Sequence, residues 1–361
     1  MNYEKRNNEI NILKFIFAIV ILLFHSKNIV PKEMQDHETL LFYNGSIAVE
    51  FFFIVSGYYF ANSCIAGRRS PQSIMWHKIK VFILPVWCSW GIAFVVKHVV
   101  KGNFGVAEIL KDILKGIYEP LLIWNGGFVG KSFDGVVWYI SALILTMALI
   151  VIPLCTYKDK YIYIIAPVIA VFGLGYLSHK YESVRNASKW DVITYKSQIR
   201  AIADVNLGIF VYGLKKAIDE IGLSQLGKSL LTVFEGGIYI FVILFMHYGH
   251  VSGMDFAVII LIASAVLSSM VQKTFLADLA DCVPSIASFL GRYSLYIYLN
   301  QAVCWWIVAK IFPDKTYSLK LIIYLIATFI ISFDVMYIVT FMEEKILPHI
   351  KRALLAECGK S

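Results

Sequence analysis

Two side chains in this chain carry most of the possible chemistry. His25 closes the apolar stretch 10–26, and Glu50 stands five residues into the next, 45–66. An ionisable group at the middle of a membrane-spanning helix costs about 2.5–3.5 kcal/mol on insertion scales, so each one is a candidate functional residue. At 1.5 Å per residue, His25 lies about 22 Å along its helix from Ile10, and Glu50 about 8 Å from Gly45. On consecutive antiparallel helices the two reach similar depth in the outer half of a bilayer. A carboxylate beside an imidazole fixes its tautomer and makes it a general base. His25 could equally do no more than cap its helix at the outer interface.

Other ionisable residues are sparse. Lys14, in the first turn of its span, is expected to extend to the cytoplasmic interface. Asp204 and Asp334 read as interior acids, and Arg200 could pair with Asp204 at i, i+4 spacing or bind substrate. Arg292 could reach an anionic headgroup or a phosphate. Tyr293, Tyr296 and Tyr298 read as packing residues. No G-x-S-x-G, G-x-x-x-x-G-K-[ST], H-E-x-x-H or G-x-G-x-x-G occurs, so serine-hydrolase, P-loop, zincin and dinucleotide-binding readings have no support. The six cysteines form no C-x-x-C pair, and neither a metal site nor a disulfide framework is indicated.

The elements that must position these groups are membrane helices. The 361 residues are 58% hydrophobic and 16% charged, with mean hydropathy +0.68, against about 45–50% and 25% for soluble domains. Apolar runs at 10–26, 45–66, 81–100, 136–157, 161–178, 201–214, 233–248, 256–270, 285–312 and 319–342 predict an all-α, polytopic transmembrane bundle of about ten spans. The segment holding Arg68, Arg69, Lys78 and Lys80 carries no acid, whereas Lys27, Lys32, Glu33, Asp36 and Glu38 leave the preceding one slightly negative. The positive-inside rule therefore places the former in the cytoplasm. Lys5, Arg6, Lys345, Lys351 and Arg352 put both termini there too. The net charge of +8 is explained by these loops, without nucleic acid.

The chain reads as one integral-membrane domain, 1–361, with membrane lipids around it, an outer interfacial segment 101–135 and a cytoplasmic tail 343–361. Within the outer segment, Val106, Ile109, Leu110, Ile113, Leu114 and Ile117 line one face of an amphipathic helix. Trp124-Asn-Gly-Gly-Phe128 follows as a turn-rich loop that could shape an outer mouth.

Several of these segments, in order, resemble the membrane-bound acyltransferase-3 family. The stretch 11–25, NILKFIFAIVILLFH, is similar to the family's opening helix ending in a functional His. GSIAVEFFFIVSGY, from Gly45, resembles its G-x-x-x-V-[DE]-x-F-F-x-x-S-G helix, and LGRYSLYIYL, from Leu290, its L-G-x-x-S-x-x-I-Y-L helix. Trp138-Tyr139-Ile-Ser-Ala-Leu143 adds a W-[YF]-L-x-A-L element. Two positions depart from the pattern. Where the family has R-x-x-R ahead of a Pro, this chain has only Lys78 and Lys80 before Pro85, and Asn300 stands where a His is frequent. Two point charges there replace two bidentate forks.

The resemblance implies transfer of an acyl group, acetyl being the simplest, from cytosolic acyl-CoA to a hydroxyl of an envelope glycan at the multi-pass cell membrane. Acyl-CoA is then a substrate, with no resident cofactor. His25 and Glu50 would be catalytic, and Arg68, Arg69, Lys78 and Lys80 would hold the donor. Ser56, Trp138, Arg200 and Asn300 would bind substrate. His25 would act as general base or form an acyl-His intermediate. A transporter or flippase of a lipid-linked sugar, coupled through Glu50, Asp204 and Asp334, is the alternative from another class, and predicts helices broken near the midplane. A non-catalytic domain of the same fold is the third.

Overall fold

A computed structural model describes residues 7–31, 33, 41–102, 105–128, 130–185, 188–219, 221–250 and 252–349. Lys5, Arg6, Lys32, Asp36, Glu38, Lys351 and Arg352, used above for orientation, lie outside these residues, as does the tail beyond 349. Twelve α-helices follow: α1 (Asn8–His25), α2 (Ala48–Ile65), α3 (Pro71–Lys101), α4 (Val106–Gly116), α5 (Trp138–Lys160), α6 (Ala166–Tyr181), α7 (Lys196–Ile218), α8 (Gln225–Tyr248), α9 (Met254–Val271), α10 (Phe275–Asp281), α11 (Pro284–Ile311) and α12 (Tyr317–Phe341). The sheet content among the described residues is one hairpin, β1 (Trp190–Asp191) with β2 (Thr194–Tyr195). The chain is a membrane helical bundle.

Polar residues at the helix starts supply caps for amides that have no partner within the helix. Asn7 Oδ1 accepts from Ile10 N at 2.9 Å, Ser70 Oγ from Ser73 N at 3.3 Å and Ser224 Oγ from Gly227 N at 3.1 Å. Among the described residues, seven helical stretches are long and apolar enough to cross a membrane. The 44-residue stretch Trp138–Tyr181 is one of them; it leaves helical geometry at Lys158 (φ 38, ψ −107) before α6 begins. α7 is not in that set because Lys196, Arg200 and Asp204 crowd its first turns. It is enclosed by α2, α5, α6 and α9 instead. α3 begins at Pro71, so Lys78 and Lys80, expected in a connecting loop, sit on the helix itself.

α2 and α7 cross closely. A Cβ on Gly57 would lie 2.1 Å from Val205 O, and one on Gly208 would lie 2.0 Å from Ile54 O. Each helix thus presents its backbone to the other, which only glycine permits. The N-terminal half of α2 is thereby committed to α7, while α1 packs chiefly along α11. Two apolar cores result. One gathers α2, α5, α7 and α9, the other α11 and α12, and both α1 and α11 contribute to each.

Candidate active site

Three adjoining cavities run along the face of α1, the first two at its seam with α11 and the third among α2, α3 and α5. The outer one, about 360 Å³, is lined by His25, Lys27, Trp138, Arg185, Arg200 and Tyr298 among others. The middle one, about 430 Å³, shares Ile21, Val49 and Tyr298 with it and reaches Asn11 and Arg292 at the opposite end of the bundle. The third, about 350 Å³, shares Lys14, Phe52, Ser56 and Phe82 with the middle cavity and adds Lys78. Lys14 lines both of these cavities, with Nζ 5.4 Å from the centre of the Tyr59 ring. Lys14 and His25 are eleven residues apart on α1, about three turns, so both share the face turned to the seam.

The expected pairing of His25 with Glu50 is not present. His25 Nδ1 lies 3.1 Å from Gln301 Oε1 on α11, and the rings of Phe24 and Trp305 flank the imidazole at 5.0 Å each. Glu50 instead accepts from Arg200 through Oε1, with Nε at 2.9 Å and a second, shorter bond from NH2. Both are buried, Glu50 completely. The cause is the glycine crossing: it turns the start of α2 toward α7 and away from the end of α1. Arg200 therefore does not pair along its own helix with Asp204. Asp204 is fully buried with its carboxyl beside that of Glu50.

Gln301 is the residue that sequence reasoning missed, and it sets the state of the imidazole. Its Nε2 donates to Tyr298 O at 2.9 Å. A carbonyl can only accept, so the amide must present Oε1 to His25. Nδ1 then carries the proton, and Nε2 holds the lone pair. His25 is thus prepared to accept a proton or to attack. Gln301 is neutral, fully buried and one residue beyond Asn300, so the only signal available to find it was helical phase.

The remaining candidates divide by position. Trp138 lines the outer cavity with Arg200, whose guanidinium carbon is 5.5 Å from the indole centre. Ser56 lines the two inner cavities, 3.5 Å from Tyr139 OH. Asn300 lines none of the three; its Nδ2 donates to Tyr296 O at 2.9 Å, one turn back along α11. Of the four expected donor-binding cations only Lys78 reaches a cavity. Lys80 lies 5.3 Å from the Trp76 ring on the exposed face of α3, and Arg68 and Arg69 are exposed in the connection before it. Arg292 and Lys14 were not grouped with them but line the middle cavity. Asp334, expected to be interior, is exposed on α12.

The loop before α5 is held by a buried carboxylate. Glu119 accepts from Trp90 Nε1 (3.1 Å), Ser132 Oγ (2.6 Å), Phe133 N (2.8 Å) and Asp134 N (3.0 Å). Lys97 Nζ donates to Phe133 O at 2.7 Å. These bonds hold the start of α5, and so place Trp138. Burial pushes the neighbouring Asp134 carboxyl well above the usual range, helped by the Glu119 charge and opposed by Lys97. Asn125, in the expected turn-rich loop, donates through Nδ2 to Ser197 Oγ at 2.9 Å and ties that loop to α7 rather than lining the cavity.

An oriented imidazole at one end of a cavity series, with cations at the other, suits transfer of a group carried by an anionic donor. A family model described as an acyltransferase domain matches residues 7–337, nearly the whole chain. No curated protein and no solved structure matches it. The match encloses every residue of the three cavities except Glu343. This chain belongs to the acyltransferase-3 family, a membrane acyltransferase by its domain and its helices.

Proposed function

We propose that the protein moves an acyl group, acetyl in the simplest case, from cytosolic acyl-CoA to a hydroxyl of an envelope glycan outside the plasma membrane. The observation that carries this reading is the cavity series joining Lys78, Lys14 and Arg292 to His25. On the reading of ten spans with both termini cytoplasmic, the cationic end lies inside and His25 outside. The donor's phosphates meet Lys78, Arg292 and Lys14 as point charges or forks. Its extended thiol arm then follows the seam past Ser56 and Tyr298.

At the outer end, His25 Nε2 takes the proton of the acceptor hydroxyl as the oxygen attacks the thioester carbonyl. The tetrahedral oxyanion collapses, the C–S bond breaks, and the departing sulfur takes that proton from the imidazolium. The products are the ester and free CoA. Gln301 keeps Nδ1–H bonded throughout, a part that a carboxylate plays in a Ser-His-Asp triad. Arg200, fixed by Glu50, points positive charge at the cavity where the oxyanion develops. A helix broken near the midplane would favour transport. Among the described residues, the break at Lys158 lies at the end of α5, away from His25.

The test is His25→Ala in cells, with envelope glycans examined by mass spectrometry for a lost ester mass. The variant should be expressed at wild-type level and yield glycans like those of a gene deletion. Unchanged esterification in that variant would refute the assignment.

A further inference from the structure

The charges around the outer cavity are unbalanced. Among the described residues, none that lines it is acidic, whereas Arg185, Arg200 and Lys27 are basic. Arg200 directs Nε and NH2 to Glu50 and NH2 also to Ser46 O at 3.4 Å. That leaves its NH1 without a partner among the described residues. Arg185 directs only NH2 to Tyr43 O, at 3.0 Å. Its guanidinium rests 4.2 Å from the centre of the Tyr43 ring, which orients its plane, and among the described residues Nε, NH1 and the second NH2 hydrogen meet no acceptor.

The Arg185 backbone is also held. Lys196 Nζ donates to Arg185 O and Ser183 O, each at 2.6 Å. This buried lysine adds positive charge behind the cavity rather than cancelling any. The nearby acid Asp255 is completely buried and occupied by Asn44 Nδ2 at 2.9 Å and Val184 N at 3.2 Å. Among the described residues the acids beside the cavity act on Arg200: Glu50 is bonded to it, and Asp204 lies buried next to Glu50. A neutral sugar needs hydroxyl partners and aromatic faces, which Trp138 and Tyr298 supply; it does not need a second preorganised guanidinium.

We propose that the acceptor is an acidic glycan, whose sugar-borne carboxylate or phosphate is held by Arg185 beside the hydroxyl presented to His25. The second NH2 hydrogen, beside Nε or NH1, still gives the guanidinium one two-donor edge that matches either oxyanion bidentately. This proposal rests on the acyl-transfer reading for the hydroxyl, but the anion site can be measured without any transfer.

The purified protein in lipid nanodiscs is titrated calorimetrically with a trimer of galacturonic acid and with the same trimer reduced at its carboxylates. Glucose 6-phosphate and glucose form a parallel pair that tells carboxylate from phosphate. At least one acidic probe should bind ten-fold or more tightly than its neutral partner. Arg185→Gln should bring that ratio near one, and Arg185→Lys should retain part of it. Equal affinities within both pairs, no binding of either acidic probe at millimolar concentration, or a ratio unchanged in Arg185→Gln would overturn the proposal. Turnover of succinyl-CoA against acetyl-CoA is compared in the same preparations. A succinyl preference lost in Arg185→Gln would move the anion to the donor's acyl group and overturn the acceptor assignment. CoA release from acetyl-CoA in wild-type protein reports the transfer chemistry separately, so either reading can fail while the other stands.

Discussion

Gln301→Leu tests the orientation of the imidazole without touching the acceptor. Leucine preserves volume and removes both amide functions, so Tyr298 O loses its 2.9 Å donor and His25 Nδ1 its 3.1 Å acceptor. A buried donor left unmade costs about 1–3 kcal/mol. The imidazole can relieve that cost by moving its proton to Nε2, which removes the lone pair needed for catalysis. If the tautomer preference is worth that same amount, turnover falls roughly 5- to 150-fold, since about 1.4 kcal/mol is a factor of ten. Gln301 does not line the outer cavity, so the acceptor KM should stay within two-fold. The assay is CoA release by a thiol reagent from proteoliposomes supplied with acyl-CoA and an envelope extract, at several acceptor concentrations. A raised KM with unchanged kcat, or both unchanged, would refute the tautomer argument.

Other perturbations probe the scaffold. Glu50→Gln leaves the Arg200 charge buried without its carboxylate and should lower stability by about 3–5 kcal/mol, read as a thermal shift in detergent; Glu50→Gln with Arg200→Met should recover much of that loss. Gly57→Ala puts a methyl 2.1 Å from Val205 O, a backbone atom that cannot swing aside. The overpacking should cost about 1–3 kcal/mol and lower activity with stability, whereas an unchanged melting temperature would contradict the close crossing. Asp134 holds its proton in the folded chain to a pH well above that of the unfolded chain. Stability from this group is therefore complete below about pH 4 and is lost progressively as pH rises above it. Asp134→Asn should raise the melting temperature at pH 7–8 and flatten its dependence on pH, with little change at pH 4.

The membrane-helical character was legible in the sequence because crossing hydrocarbon demands long apolar runs, a one-dimensional property. All ten runs lie within or across long helices, although α3 starts ten residues before its run at 81. Depth was legible for the same reason: residue count times helical rise placed His25 and Glu50 at one end of the bundle, where His25 and Glu50's partner Arg200 line one cavity. Azimuth was not. Glu50 has the right depth, yet it faces Arg200, because Gly57 and Gly208 bring two distant segments into backbone contact. Asn300 and Gln301 are neighbours in sequence but differ by about 100° around α11, and only packing against α1 decides which of them meets His25. Arg185 lies in a polar connection with no periodicity to mark it, and enters the cavity because Tyr43 and Lys196 hold it there. Apolar length therefore set the long helices and each residue's position along them. Helix rotation, decided by side chains far apart in the chain, set which residues meet.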